Sequence, residues 1–340
     1  MDDQPAKKAR TESTCPVSAT ERLGDTTVCC VGLGTLPAGV AYPAPALRPD
    51  AATFAKLVAA AAAAASPAQL FVDAADTYCE PYTDLHAIER ALKSTVLPPA
   101  APPLVITTKS GMLRVTSESG GWRPKPLTAF TGKEVRNSIL AAQQACTGAA
   151  PLFLWSLHHT DTLTPPGALE EALEAAAACV AEGLVKHIGL CNATVPLLRR
   201  ALAVTPILCV QNMYSPYERE AEKALPASAA ASSKKGVLAF CAANNVAFVA
   251  YAPLGGLKAR RQERDVGRDK KYNCFPELAA KMGCSPQALC LAALLHRGHS
   301  LGARMLVIPG ARTEAHAVDS VTAARLQLTD EQVLYLLPPV

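Results

Sequence analysis

The chain has 340 residues, half of them hydrophobic, with a mean hydropathy of +0.14, so it can bury one large core or two ordinary ones. Net charge is only +4, with acids and bases interspersed, and aromatics are 5% of residues; this excludes the basic stripe or stacking platform of a nucleic-acid binder. No apolar run approaches the roughly 20 residues that cross a bilayer, so no membrane segment is expected.

The opening MDDQPAKKARTESTCPVSATE carries two acids after Met1 and no apolar core of a secretory signal. It is expected to be a disordered tail over 1–22, ahead of a single cytoplasmic domain over 23–340. KKAR at 7–10 is short for an import patch and reads as part of that solvated tail. Twelve cysteines, without CxxC spacing and mostly inside apolar runs, read as reduced, buried small hydrophobes.

From the first apolar run onward, short strand-like and helical segments alternate. VCCVGLG (28–34) precedes TFAKLVAAAAAAA (53–65), whose alanines have the highest helix propensity. LFVDA (70–74) precedes TDLHAIERALKS (83–94), and LVITTK (104–109) precedes GKEVRNSILAAQQA (132–145). LFLWSLH (152–158) leads into GALEEALEAAAACVAEG (167–183), which closes on glycine, and KHIGL (186–190) leads into TVPLLRRALAV (194–204), which opens on threonine. ILCVQ (207–211), VAFVAYA (246–252), SPQALCLAALLHR (285–297) and RMLVIP (304–309) complete the series. Eight nearly continuous apolar runs with helical crossovers predict an α/β fold of the (β/α)₈ or TIM-barrel form, with a doubly wound sheet as the competing arrangement.

Polar residues collect where the runs end: Asp73, Lys109, His158, Asn192, Gln211 and Tyr251. Barrels of this class build their sites at that rim. The long stretches 110–130, 225–236 and 254–274 are then loops, the first and third at the rim because they directly follow strands.

FVDAADTYCEPYTD (71–84) runs from a strand-like apolar opening straight into Asp73, Asp76, Tyr78 and Cys79. Asp73 and Asp76 are too close in sequence to flank a sugar as glycoside hydrolysis requires. HHTD (158–161) lacks the HxH or HExxH spacing of a metal site, so none is expected. There is no GxSxG elbow, no P-loop and no GxGxxG; GLG (32–34) reads as a tight turn. Cys79 as a nucleophile would need His158 as base, but cysteine is scattered throughout and Cys79 reads as incidental. What uses every group is a tuned proton donor. The Tyr78 hydroxyl, with a reference pKa near about 10, would be lowered by the Lys109 ammonium, Asp73 would hold Lys109, and His158 would orient and polarise a carbonyl.

Taken in order, DAADTY (73–78), ITTK ending at Lys109, LHHTD (157–161), HIGLCN (187–192), VQNMYSP (210–216), AYAPLGG (250–256) and VIPGART (307–313) resemble the aldo-keto reductase superfamily over roughly 28–337. The resemblance implies a (β/α)₈ barrel that transfers hydride from a nicotinamide, usually NADP(H), to a small-molecule aldehyde or ketone, with Asp73, Tyr78, Lys109 and His158 as the catalytic set and Tyr78 as general acid. The family's Ser-Asn pair and Gln, which hold the carboxamide, match Cys191, Asn192 and Gln211, so a thiol replaces the serine hydroxyl. Tyr251 matches the aromatic that stacks on the nicotinamide, and Pro253, Leu254 and Gly255 match residues near the pyrophosphate.

At the adenosine end, Gly310 and Arg312 match the family's IPG-x-R, and Arg312 suits a 2′-phosphate. His316, Asp319 and Ser320 stand where the family often has Arg or Gln followed by Glu-Asn. The basic loop KARRQERDVGRDKK (258–271) becomes a candidate flap over the cofactor phosphates, and Trp122 a candidate substrate-pocket aromatic. Cys79 stands where many members have glycine, a thiol beside the acid. A second implication is a cofactor-binding regulatory subunit with little turnover, like the potassium-channel β subunits of the same fold.

Overall fold

The computed structural model describes residues 18–39, 48–78, 86–116, 122–225, 233–256 and 274–340. Residues 1–17, Cys79, most of 225–236 and the basic loop 258–271 lie outside the described residues. Strands β3 (Leu33–Gly34), β4 (Phe71–Asp73), β5 (Val105–Ser110), β8 (Leu152–Leu157), β9 (Val185–Cys191), β10 (Cys209–Met213), β11 (Ala247–Tyr251) and β12 (Met305–Ile308) pair in that order, all parallel. The sheet closes on itself where Gly32 N donates to Val307 O and Gly34 N to Pro309 O, both at 2.9 Å. Each of the eight predicted runs contributes one barrel strand, so the fold is a (β/α)₈ barrel.

The helices form the outer layer: α1 (Ala51–Ala65), α2 (Ala87–Lys93), α3 (Gly132–Cys146), α4 (Ala168–Ala181), α5 (Val195–Val204), α6 (Val237–Ala243), α7 (Cys274–Met282), α8 (Pro286–Ser300), α9 (Glu314–Thr322) and α10 (Asp330–Leu336). Their starts use the expected chemistry: Asp50 accepts from Thr53 N at 2.7 Å, and Thr131 forms a reciprocal capping box with Glu134. Among the described residues no single helix is long and apolar enough to cross a membrane. The described cysteines are free thiols, most of them buried among the core aliphatics.

Two hairpins depart from the expected loops. β1 (Thr20–Leu23) and β2 (Thr26–Cys29) pair antiparallel across Gly24-Asp25, and Leu23 and Val28 pack on the barrel's interior cluster with Phe71, Val105 and Leu154. Thr20–Arg22, counted with the tail from composition, therefore belong to a strand, and the run 28–34 is shared between a hairpin strand and β3. The stretch 110–130 holds a second hairpin, β6 (Met112–Thr116) with β7 (Trp122–Pro126), standing directly after β5.

Candidate active site

Strand periodicity explains which side chains meet. Phe71, Val105, Leu154, Cys209, Ala247 and Val249 fill the barrel interior, whereas Val72, Ile106, Trp155, Val210 and Phe248 join the cluster facing the helices. Counting in twos along each strand puts Asp73, Lys109, Gln211 and Tyr251 on the interior side, at its carboxyl end. His158 continues the parity of Leu154 one residue past β8, with its N–H donating to Ser110 O at 2.8 Å. At Gly189 the packed interior has no room for a side chain, since a Cβ there would lie 2.5 Å from Ser156 Oγ.

Lys109 is fully buried and donates to three acceptors: Asp73 Oδ1 and Oδ2 at 2.6 Å each, and Ala74 O at 2.8 Å. Gln211 Nε2 adds a donor to Asp73 Oδ1 at 2.7 Å, so the carboxylate is held from both sides of the barrel. Although burial works against the ammonium, Asp73 and its neighbours outweigh it and raise Lys109 above the ordinary lysine range. The cation stays charged at any working pH.

Tyr78 is returned to the rim by a turn in which Asp76 N donates to Lys109 O at 3.1 Å and Tyr78 N to Ala75 O at 3.0 Å. Its ring centroid lies 4.9 Å from Lys109 Nζ, and the His158 ring stands edge-on at 6.1 Å. Burial pushes the Tyr78 hydroxyl up to about 12; the Lys109 charge pulls it down, and Asp73 pushes it further up. The expected lowering by Lys109 is real in sign, but burial exceeds it, and the hydroxyl is protonated throughout the neutral range. His158 is held well below the ordinary histidine range by burial, then by Lys109 and His159. It is therefore a neutral imidazole, and its Nδ1 is buried with no hydrogen-bond partner among the described residues.

Beside this set, the Cys191 thiol is buried and pushed up by burial, an inert state for sulfur. Asn192 follows it in the left-handed region, φ 56°, and donates through Nδ2 to His158 O at 3.1 Å while its Oδ1 accepts from Tyr251 OH at 2.9 Å. In the turn after β11, Ala252, Gly255 and Gly256 have φ of 51°, 90° and 62°, and the Gly255 N–H donates to Ala252 O at 2.8 Å. Pro253 and Gly255 are buried there, and Leu254 is half-buried.

Gly310 sits where a Cβ would meet Pro37 Cγ at 2.4 Å, and Arg312 stands just before the amino end of α9. Three residues matched to the adenosine end already have roles in the fold: His316 N is capped by Thr313 Oγ1 at 3.2 Å, Asp319 Oδ2 accepts from Ser285 Oγ at 2.6 Å, and Ser320 is buried. Trp122 begins β7 with its backbone paired to Thr116, and its side chain lies outside the described ones. Sequence reasoning missed Lys234, which donates to the Asn192 carbonyl and, at 3.0 Å, to Asp161 Oδ2.

Asp76, demoted from catalysis by the sequence pattern, forms a second ionisable group behind the site. Burial pushes its carboxyl up to about 7, partly offset by His86, Ser110 and Lys109 and reinforced by Glu89. Between about 4 and 7 the folded chain holds a proton that the unfolded chain has lost, so this group lowers stability as pH rises through that window and adds nothing further above it. His86, whose pKa is raised by Glu89 and Asp76 against the lowering by burial, loses its contribution in the same direction. Asp76→Asn is expected to gain on the parent by up to about 3 kcal/mol between pH 5 and pH 8. Thermal melts at both values measure it, and parallel melting-temperature curves would contradict it.

The closed parallel barrel thus carries a buried Lys–Asp pair, a protonated tyrosine and a neutral histidine together at its carboxyl rim. The family model for the aldo/keto reductase family matches residues 31–336, and the chain belongs to that family. Pyridoxine 4-dehydrogenase of Escherichia coli (strain K12) is 28% identical over 261 residues, 76% of this chain and 78% of that protein. An aldo-keto reductase of Schizosaccharomyces pombe, named for NADP(+), is 29% identical over 201 residues, 53% of this chain and 54% of that protein. The solved glycerol dehydrogenase of Gluconobacter oxydans superposes with a TM-score of 0.69 at 18% identity, over 95% of this chain and 97% of that one. The chain is thus similar to named oxidoreductases along most of its length.

Proposed function

We propose that this chain is an NADPH-dependent reductase that converts an aldehyde or ketone to an alcohol, with Tyr78 as general acid. The observation that carries the reading is the convergence of Tyr78, Lys109, Asp73 and His158, from the ends of three barrel strands and one turn, in a single contact network around the buried Lys109–Asp73 pair. The bound nicotinamide supplies the hydride. Asn192 and Gln211 suit its carboxamide, Tyr251 its ring, the 252–256 turn its pyrophosphate, and Arg312 with the amino end of α9 a 2′-phosphate. The orphaned His158 Nδ1 and the 252–256 turn, with Ala252, Gly255 and Gly256 at positive φ, are the features that fit such a group.

The protein's own work is positioning and proton supply. Neutral His158 offers one ring N–H to the carbonyl oxygen, polarising it without giving up a proton. As negative charge develops on that oxygen, the Tyr78 proton moves to it, and the phenolate left behind is stabilised by the Lys109 ammonium at 4.9 Å from the ring centre. Asp73 and Gln211 keep Lys109 in place through the change of charge.

Purified protein incubated with NADPH or NADH and a panel of pyridoxal, sugar aldehydes and aromatic aldehydes is expected to oxidise NADPH preferentially. Pyridoxal heads the panel because one relative is named for pyridoxine. Tight nucleotide binding without turnover on any aldehyde would overturn the reductase reading in favour of a binding subunit. Arg312→Leu is expected to weaken NADPH by about tenfold to a hundredfold, the worth of a charged hydrogen bond, while changing NADH by less than about twofold. Equal loss for both nucleotides by calorimetry would remove Arg312 from the phosphate site.

A further inference from the structure

Asn192 is tethered at the rim through both its backbone and its side chain. Its N–H donates to Gln211 O at 3.0 Å, its Oδ1 accepts from Tyr251 OH at 2.9 Å, its Nδ2 donates to His158 O at 3.1 Å, and its carbonyl accepts from the Lys234 ammonium. Four of its polar groups are thus held by four different segments of chain. Three of those partners belong to barrel strand ends already assigned to the site; Lys234 does not.

Backbone geometry gives Lys234 its purpose. At φ 56° Asn192 leaves the extended strand, and its carbonyl needs a donor from outside the parallel ladder that ends at Cys191. An asparagine tolerates this conformation but is not fixed in it by its own sterics. Lys234, two residues before the Gly236 that precedes α6, supplies the donor and is itself held by Asp161 Oδ2 at 3.0 Å. Asp161 follows β8, and its other oxygen lies 3.4 Å from His159 Nδ1. The ammonium therefore bridges the segment after β8, the end of β9 and the segment before α6, and it is only partly exposed.

We propose that Lys234 is a positioning residue for the nicotinamide half of the cofactor site. It fixes the Asn192 backbone so that the Asn192 amide presents a constant face to the carboxamide, and Asp161 anchors it in turn. The inference rests on the reading of Asn192 given above. It makes Lys234 act through Asn192, without touching the reacting atoms, and it predicts an effect confined to one end of the dinucleotide.

The test compares the parent, Lys234→Met, Lys234→Arg and Asp161→Asn by calorimetry. Each is titrated with whichever of NADPH and NADH the parent holds more tightly, and with the adenine half of that nucleotide alone. Lys234→Met is expected to raise the whole-nucleotide Kd by about tenfold to a hundredfold, as loss of a charged hydrogen bond does. The adenine half, bound on the far side near β12 and α9, should change by less than about twofold. Lys234→Arg, which keeps a donor, should recover most of the loss, and Asp161→Asn should fall between.

In the ligand-free proteins, amide exchange at Asn192 and Ala193 should quicken in Lys234→Met while β12 stays protected. Unchanged exchange, or equal weakening of both nucleotide probes, would reduce Lys234 to a surface contact and overturn the inference. If the parent binds neither whole nucleotide, it is the proposed function that fails. Should Lys234→Met not fold, the arginine and Asp161 variants carry the comparison, and parental affinities in both would overturn it.

Discussion

Tyr78→Phe is expected to lower kcat by about 10²–10⁴-fold, the usual worth of a positioned general acid. The nucleotide Kd should be unchanged, because the phenyl ring that packs beside Lys109 and His158 remains. Stability should hardly move, since the substitution removes one hydroxyl from a partly buried ring and leaves its apolar neighbours in place. With Tyr78 protonated below about 12 and His158 neutral far below its ordinary range, neither group imposes a bell on the pH profile of the parent near neutrality. Activity would fall only as alkali begins to ionise Tyr78, or as strong acid charges His158. Parental turnover in Tyr78→Phe, measured with a saturating aldehyde, would remove the proposed acid and its mechanism.

The Tyr78 value also marks where sequence stops. The order DAADTY, ITTK and LHHTD made the partners legible, because ionisable residues at the ends of apolar runs are costly to bury and so stand out. Whether Lys109 or burial decides the Tyr78 proton depends on how deeply the turn 75–78 folds back, which no spacing encodes. Lys234 was invisible for a different reason. It sits in ASSKKG, where a lysine has no local pattern, and its partners Asn192 and Asp161 lie 42 and 73 residues away.

The barrel strands were readable because parallel strands covered on both faces become nearly continuous apolar runs, as in LFLWSL and AFVAY. The hairpins were not. In VCCVGLG the unbroken apolar character hides the break between β2 and β3, although Gly24-Asp25 between TERL and TTVC is a two-residue turn signal. WRPKP carries prolines at 124 and 126, which ordinarily demote a strand; here they face Arg114 and Met112 in a two-stranded ribbon, where an edge tolerates missing donors.

Lys109→Met is expected to cost both the fold and the reaction. It leaves the Asp73 carboxylate buried with Gln211 Nε2 as a remaining side-chain donor, and removing one partner of a buried ion pair typically costs about 3–5 kcal/mol. Because Lys109 is held above its ordinary range, its contribution is complete below the unfolded lysine pKa, and the loss should be constant across neutral pH. The paired change Asp73→Asn with Lys109→Met removes the stranded charge as well, so it should regain most of that stability in denaturant titrations. It should regain none of the turnover, since a phenolate at Tyr78 would still lack its cation. The double variant thus separates the two roles of the pair. If it folds like the parent and also reduces aldehydes like the parent, Lys109 is structural only; if Lys109→Met alone costs less than about 1 kcal/mol, the buried pair is not what holds this rim together.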